Sequence, residues 1–515
     1  SLWPRACEVE QNCEPLARSF YHSLASGGYS LFSNGKQWVN INHVVFLEPS
    51  FRYDPKIGQL SFEVLTFFKK EDTIIIDLPA EIYQSFVSYD LVTKIQDKNY
   101  DKSKFFRELF FPNIASVPPH LRDHLVLYAL DDIDGEFDDL IKTYACIPTS
   151  PNGRKLKCPA HLIHPTKLAA SLFSQEDEMF PSGTRDTFLN SFRLAKLEQL
   201  GMLADDLPWP RLAERAQSIS LLSYHCSESA LKRTKDLIDH LERNLMHGNE
   251  NRASFESRET FLHARFLPVL QRPKSFPLPW KADELHFKNG RVFMSPAESF
   301  PNRVKNLVCC TEPVLELHLP TIIQAFLQLD TKQATLDHVK MQLNIAASVS
   351  TQNLDPFEIE SLKEVCLEAY GYLEEALSNK CITEKEVRGL FSGKKFILCE
   401  GEFVLTEKVA LELHCDCSPY LRQLPQDLVK RFAGLMKIAG VKAAFDANDF
   451  ITSLKQIKQT FGEENLDEKS IQVAVNMAVQ LGNILKRRST QGVGDEGEQD
   501  TVFLPDTMGV MRPVD

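Results

Sequence analysis

The chain has 515 residues, too many for one hydrophobic core, and this length corresponds to roughly three or four domains or repeat units. Hydrophobic residues make up 43% and charged residues 25%, globular proportions, with 34 Phe to fill sizeable cores. The 70 acidic against 58 basic residues, a net charge of −12, argue against nucleic acid as a partner, because phosphate backbones are held by Lys and Arg that displace counterions.

The 12 cysteines are scattered, so free thiols in a reducing compartment are expected rather than a disulfide framework. No apolar run approaches the roughly 20 residues that span a bilayer, so no direct membrane insertion is expected. The opening SLWPRACEVEQNCEPLARSF lacks a basic segment followed by an apolar core and does not read as a secretory signal. It starts close to a helical pattern, and the ending GVMRPVD lies inside an extended motif. Both ends read as cuts in something longer.

In chain order, the first strong signal is FSNGKQWVN, with a turn at Asn34-Gly35. Asn-Gly between apolar residues predicts a hairpin, because a type I′ turn needs positive φ at both central positions. Next, IIIDLPAEI predicts a strand and then a helix entered at Leu78-Pro79, followed by the aliphatic Ile82. Proline is favoured at the first helical position, where its missing N–H costs nothing.

The stretch 147–165, IPTSPNGRKLKCPAHLIHP, allows three readings: a phosphate loop, a metal site around Cys158, His161 and His164, or a turn at Asn152-Gly153. The other hairpin signals carry neither Cys nor His at these positions, so the shared element is the turn. Further on, LEQLGMLADDLPWPRLAERA predicts a helix ending at Gly201 followed by an amphipathic segment. Leu231, Leu237, Ile238, Leu241 and Leu245 then fall at helical spacing.

A third Asn-Gly turn, Asn289-Gly290 in FKNGRVFMSP, precedes the neighbours Cys309 and Cys310 and a second Leu-Pro entry, Leu319-Pro320 with Ile323. DPFEIESLKEVCLEAYGYLEEALSNK predicts a long helix, and CEGEFVLTEK a looser hairpin at Gly401. HCDC offers His414, Cys415 and Cys417 close together, with Cys399 upstream. No paired Cys-x-x-Cys spacing accompanies them, and buried thiols are the expectation there, as for Cys309 and Cys310.

A third Leu-Pro entry follows at Leu424-Pro425 with Leu428, and LMKIAGVKAAFDANDFITSL repeats the Gly201 pattern at Gly440. DEKSIQVAVNMAVQLGNILKRR is a further long helix. RSTQGVGDEGEQD, 488–500, has nothing to bury and is expected to be a mobile loop. It holds a Gly-x-Gly-x-x-Gly at Gly492, Gly494 and Gly497, but Asp495, Glu496 and Glu498 would repel phosphate and the flanks are wrong for a dinucleotide site. A last hairpin signal sits at Gly509.

The hairpin signals recur at roughly 110–140 residues, the mark of a degenerate repeat. The expected fold is mainly α with short β-hairpins (α+β), an elongated array of repeat units built from helices and small hairpins. The expected units are 1–140 with the hairpin at Asn34-Gly35, 141–280 with that at Asn152-Gly153, 281–390 with that at Asn289-Gly290, and 391–515 with that at Gly401 and the start of another at Gly509. Carboxylate pairs such as Asp131-Asp132, Asp138-Asp139 and Asp205-Asp206 read as solvated acidic faces. Gly-x-Ser-x-Gly, His-Glu-x-x-His and a Walker-type loop are absent from the sequence. No catalytic, cofactor-binding or metal-ligating residue is assigned, and no cofactor.

Taken together, LARSFYHSLA, FSNGKQWVNINHVVFLEP, CIPTSPNGRKLKCPAHLIHP and IIIDLPAEI resemble the internal repeats of the sacsin-repeat family over essentially the whole chain. Large repeats of that family open with an ATPase-like module of the heat-shock-chaperone and gyrase type. Its Asn/Asp-rich magnesium and nucleotide box and its glycine-rich loops have no counterpart here, so the resemblance implies a segment outside that module. A J domain would need His-Pro-Asp, and His164-Pro165 is followed by Thr166. The ubiquitin-like and terminal nucleotide-binding helical domains are also missing.

The resemblance implies a non-enzymatic segment of a giant cytoplasmic co-chaperone-like scaffold of neurons. It implies work in protein quality control with the heat-shock chaperone machinery and its clients, in intermediate-filament organisation, and beside neighbouring repeats of the same chain. Two roles stay open: a module that binds clients or partners, and a spacer that positions the flanking ATPase-like modules.

Overall fold

The computed structural model describes residues 14–26, 29–30, 32–33, 35–247, 254–285, 290–490 and 501–514. It divides into two compact units, 1–211 and 212–515. Both are mainly α with sheets of two or three short strands, the class the periodicities predict.

In the first unit, helix α1 (Glu14–Ala25) precedes the hairpin of β1 (Phe32–Ser33) and β2 (Trp38–Val39). A 3-10 turn over Ile41–His43 then delivers strand β3 (Val44–Leu47), the centre of a parallel sheet between β4 (Ile74–Ile75) and β5 (Asn99–Tyr100). Leu78-Pro79 converts strand to helix as expected, opening α2 (Ala80–Ser88). Pro79 sits at the N-cap, one residue before the expected first helical position. Its carbonyl accepts the first helical bond from the Ile82 N–H at 3.1 Å. Leu78 and Ile82 are both buried, which fixes the chain on either side of the proline.

Beyond β5 the phenylalanine-rich run winds as a π-helix over Phe105–Phe110 and a 3-10 helix over Phe111–Ser116. Phe105, Phe106, Phe110 and Phe111 are fully buried in one cluster. Helices α3 (Pro119–Leu130) and α4 (Asp138–Thr143) lead to a second hairpin, β6 (Ile147–Pro148) with β7 (Leu156–Lys157), and a 3-10 turn over Pro159–His161. Ile163 then takes the place of a central strand. Its N–H donates to the Met179 carbonyl at 2.8 Å, and it bridges Leu203 in parallel sense beyond helix α5 (Ser191–Gln199).

After α6 (Trp209–Ser223) come α7 (Ser227–Met246) and α8 (Phe255–His263), then β8 (Leu267–Pro268) paired with β9 (Phe293–Met294). A 3-10 turn at Pro296–Glu298 leads to Phe300, which bridges Val314 in parallel, and Leu319-Pro320 opens α9 (Thr321–Phe326). Helices α10 (Leu336–Ser348), α11 (Pro356–Ser378) and α12 (Glu384–Phe391) precede the hairpin of β10 (Ile397–Cys399) and β11 (Glu402–Val404). The 3-10 turn Thr406–Lys408 feeds β12 (Val409–Glu412), the centre of a parallel sheet between β13 (Arg422–Gln423) and β14 (Lys442–Ala444). Leu424-Pro425 opens α13 (Gln426–Ala439) between those two outer strands. Helices α14 (Ala447–Phe461) and α15 (Glu468–Thr490) come before β15 (Val502–Pro505) and β16 (Met511–Val514).

One order thus recurs: helix, hairpin, 3-10 turn, short central strand, flanking strand, helix. The end of that helix is the most uniform part. After α2, α5, α9 and α13 a residue with positive φ follows, namely Asp90 (56°), Gly201 (112°), Gln328 (56°) and Gly440 (108°). The next N–H reaches back to the helix in each case: Leu91 to Phe86, Met202 to Leu197, Leu329 to Gln324 and Val441 to Met436, at 2.8–2.9 Å. These are Schellman caps. Leu91, Met202, Leu329 and Val441 are all buried, so an apolar residue nails each cap to the core.

The turns differ from the sequence expectation. At Asn152-Gly153 only Gly153 has positive φ (65°), so the turn is not type I′. The ladder closes where the Thr149 N–H donates to the Lys155 carbonyl, and the Gly153 N–H donates back to Thr149 at 2.8 Å. Pro151 has no N–H to extend the ladder, so the loop widens to five residues. Between β8 and β9 runs a long excursion carrying a 3-10 turn over Lys281–Glu284, so these two strands are not joined by a two-residue turn at Gly290. Asn34 and Asn289 lie outside the described residues. The two-residue turn with positive φ at both positions is Glu400 (49°) and Gly401 (82°), where no Asn-Gly signal exists.

Candidate functional site

The residues that sequence reasoning weighed as ligands are dispersed. Cys158 Sγ lies 3.2 Å from His161 Nδ1, while the buried His164 ring accepts from the Thr166 N–H at 3.3 Å. Burial holds the His164 pKa below its usual value. Cys415 and Cys417 have their sulfurs 3.3 Å apart, and burial pushes the Cys417 thiol well up. Cys309 accepts from Gln342 Nε2 at 3.1 Å, beside Cys310, whose thiol is pushed up by Cys309 and by burial. Among the described residues no group of three His, Cys, Asp or Glu side chains could hold a metal ion. The Gly492, Gly494 and Gly497 loop lies outside the described residues, and α15 runs on to Thr490, into the segment expected to be a loop.

The acidic pairs are tied into the scaffold. Arg193 grips Asp131 with two bonds of 2.7 Å, Arg107 pairs with Asp139 at 2.7 Å, and Lys196 pairs with Asp138 at 2.9 Å. These contacts join elements distant in sequence, which periodicity cannot reveal.

What sequence reasoning missed is a cleft in the second unit. A cavity of about 340 Å³ opens between α11, the β10–β11 turn and the entry of α13. Ile359, Cys366, Leu367 and Tyr370 of α11 form one wall, Leu398 and Gly401 the second, and Pro425 and Leu428 the third. Each wall has a local cause. The Leu-Pro entry places Pro425 and Leu428 on the rim. The Glu400-Gly401 turn leaves bare backbone opposite Ile359, whose Cδ1 lies 3.9 Å from where a Cβ on Gly401 would stand. The buried Arg422 guanidinium donates to the Cys399 carbonyl at 3.1 Å and pairs with Glu402, fixing β13 to the hairpin.

The chemistry of the cleft is apolar with a charged rim. Lys363 and Asp427 pair across the mouth at 2.8 Å. That bond holds the Asp427 carboxyl below its usual range and raises the Lys363 ammonium. On the floor, burial pushes the Cys366 thiol up to about 12, so at neutral pH it is a protonated, weak nucleophile. Tyr370 is fully buried and donates to the Phe396 carbonyl at 2.6 Å, which orients it away from proton transfer. Glu360 and Glu400 complete an acidic rim. The arrangement suits an apolar side chain carried by a segment with a basic flank.

No family model and no solved structure matches the chain. Among the described residues no helix is long and apolar enough to cross a membrane. One curated protein matches, human Sacsin, 28% identical over 531 aligned positions that take in 100% of this chain and 11% of Sacsin. The chain therefore spans about a tenth of the length of that relative, and along its whole length it is sacsin-like.

Proposed function

We propose that this chain is a non-catalytic, client- or partner-binding segment of a giant co-chaperone-like scaffold. In this reading it works in the cytoplasm beside heat-shock chaperone machinery, in protein quality control and intermediate-filament organisation. The observation that carries the binding role is the cleft of about 340 Å³, because it combines apolar walls with an ion-paired, acidic mouth. A protonated thiol and an internally bonded tyrosine on its floor give it no obvious group to activate a substrate. Its occupant is an exposed apolar residue of an incompletely folded or extended client with Lys or Arg alongside.

The test is fluorescence anisotropy with a reduced, carboxymethylated client polypeptide, comparing the parent with Leu367→Glu and Ile359→Glu variants shown to fold by circular dichroism. At least tenfold weaker binding by both variants is expected. Equal binding by parent and variants would remove the cleft from the proposal. A second reading, a spacer that holds flanking modules apart, is favoured by the recurrence of one element order with the same Schellman cap. Complete absence of client binding at micromolar protein would make that reading the better one.

A further inference from the structure

The recurring order makes α15 the counterpart of α11. Helices α11 and α15 are matched by their N-termini: Asp355 Oδ1 accepts from the Glu358 N–H, and Asp467 Oδ1 accepts from the Ser470 N–H, at 2.8 and 2.7 Å. They are matched again by their hairpins. A Cβ on Gly401 would meet Ile359 Cδ1 of α11 at 3.9 Å, and a Cβ on Gly509 would meet Ile471 Cδ1 of α15 at 3.1 Å. Counted from the caps, Lys363, Leu367, Tyr370 and Leu373 of α11 correspond to Val475, Val479, Gly482 and Leu485 of α15.

On α11 this face is buried at Tyr370 and Leu373 and half-buried at Lys363 and Leu367, which border the cleft. The helix packs against α13, the Leu-Pro helix that follows its hairpin, with Lys363 paired to Asp427 of that helix. Earlier in the unit α7 packs in the same way against α9, again a Leu-Pro helix beyond the next hairpin. On α15 the corresponding face is bare: Val475, Val479 and Leu485 are 40%, 55% and 43% exposed. The charged member of the α11 face, Lys363, is replaced by Val475, and the bulky Tyr370 by Gly482, which lets a second helix backbone approach closely.

We infer that the Val475–Val479–Gly482–Leu485 face of α15 docks an amphipathic helix entered through Leu-Pro, of the kind α9 and α13 present inside this chain. The occupant is the Leu-Pro helix of a further repeat unit, seated as α13 is seated on α11. The inference stands apart from the cleft and holds whether the chain binds clients or acts as a spacer.

The probe is a labelled, helix-stapled peptide of residues 421–440, which contains the Leu-Pro entry, α13 and its cap. Its anisotropy is measured with the parent and with Val479→Lys, a substitution at an exposed position. Saturable binding that falls at least tenfold in Val479→Lys, with Met341→Lys at an exposed position of α10 leaving it unchanged, is the expected result. Val479→Arg is a second variant should the first fail to fold. No binding by the parent, or equal binding by parent and variants, overturns the inference. So does a concentration-dependent dimer in sedimentation that disappears in Val479→Lys, because the face would then belong to a second copy of this chain.

Discussion

Gly153 shows what a single turn residue contributes. Its φ of 65° lies where L side chains are strained, while an added Cβ would meet only ordinary van der Waals contacts, the nearest being Ser182 Oγ at 3.6 Å. The cost of Gly153→Val is therefore backbone strain without a clash, about 1–3 kcal/mol. Hydrogen exchange should rise across 147–163 in that variant, while Gly153→Asn stays near the parent because Asn tolerates this region. A valine variant with parental protection would rule out the strained turn. The cysteines give a second residue-scale expectation. The Ser229 hydroxyl beside the exposed Cys226 lowers its thiol pKa, whereas burial lifts the thiols of Cys366, Cys146 and Cys399 to about 12. Thiolate is the reactive form, so at pH 8 an alkylating reagent should modify Cys226 before those three, which stay spared until the fold opens. Mass spectrometry of the native protein checks this, and early modification of Cys366 would count against a closed α11 core.

At the scale of elements, the Schellman caps show what was legible. Gly201 and Gly440 announce their helix ends because glycine is the residue that takes positive φ without cost. Asp90 and Gln328 occupy the same place with φ of 56° and gave no signal. What holds them there is tertiary: Leu91 and Leu329 are fully buried and drag the preceding residue into the left-handed region. Gln328→Gly should thus stabilise the second unit by up to about 1 kcal/mol, the αL penalty less the entropy of glycine. Leu329→Ala should cost about 2–5 kcal/mol as a buried truncation. Urea denaturation with an exchange readout over 321–348 distinguishes the two signs. Equal destabilisation by both would mean that the Gln328 side chain secures the cap as much as Leu329 does. The Leu-Pro entries were readable for the same local reason as the glycines, since proline fixes its own φ. Strand β4 was announced by IIIDLPAEI, but the parallel pairing within β3–β5 and β12–β14 was not, because it joins strands of two to four residues across distant sequence. The cleft was invisible too, because its walls come from α11, a turn lacking Asn-Gly and α13, which no linear pattern brings together.

At the scale of the whole molecule, the distribution of cores decides how the chain responds to damage. Two clusters, one around Tyr21 and Phe86 and one around the Phe105–Phe111 run, lie within 1–211; two others, around Tyr370 and around Phe450 and Met477, lie within 212–515. Each of these four clusters stays within one unit, so one cooperative transition is not to be expected of 515 residues. Phe106 is a decisive probe. It is fully buried, and its ring lies 4.5 Å from Phe137 and 5.5 Å from Phe110. Phe106→Ala should remove about 3–5 kcal/mol from that cluster, the scale of a buried phenylalanine truncation. Exchange should accelerate across 99–147, including α3, as local opening becomes cheaper. Within 356–439, where Tyr370 anchors a separate cluster by its bond to the Phe396 carbonyl, protection should stay at the parental level. Calorimetry should show the variant's first transition moved down and a later one unmoved. Uniform loss of protection along the chain, with a single transition shifted as a whole, would show instead that the clusters share their stability, and the damage could then not be confined to one core.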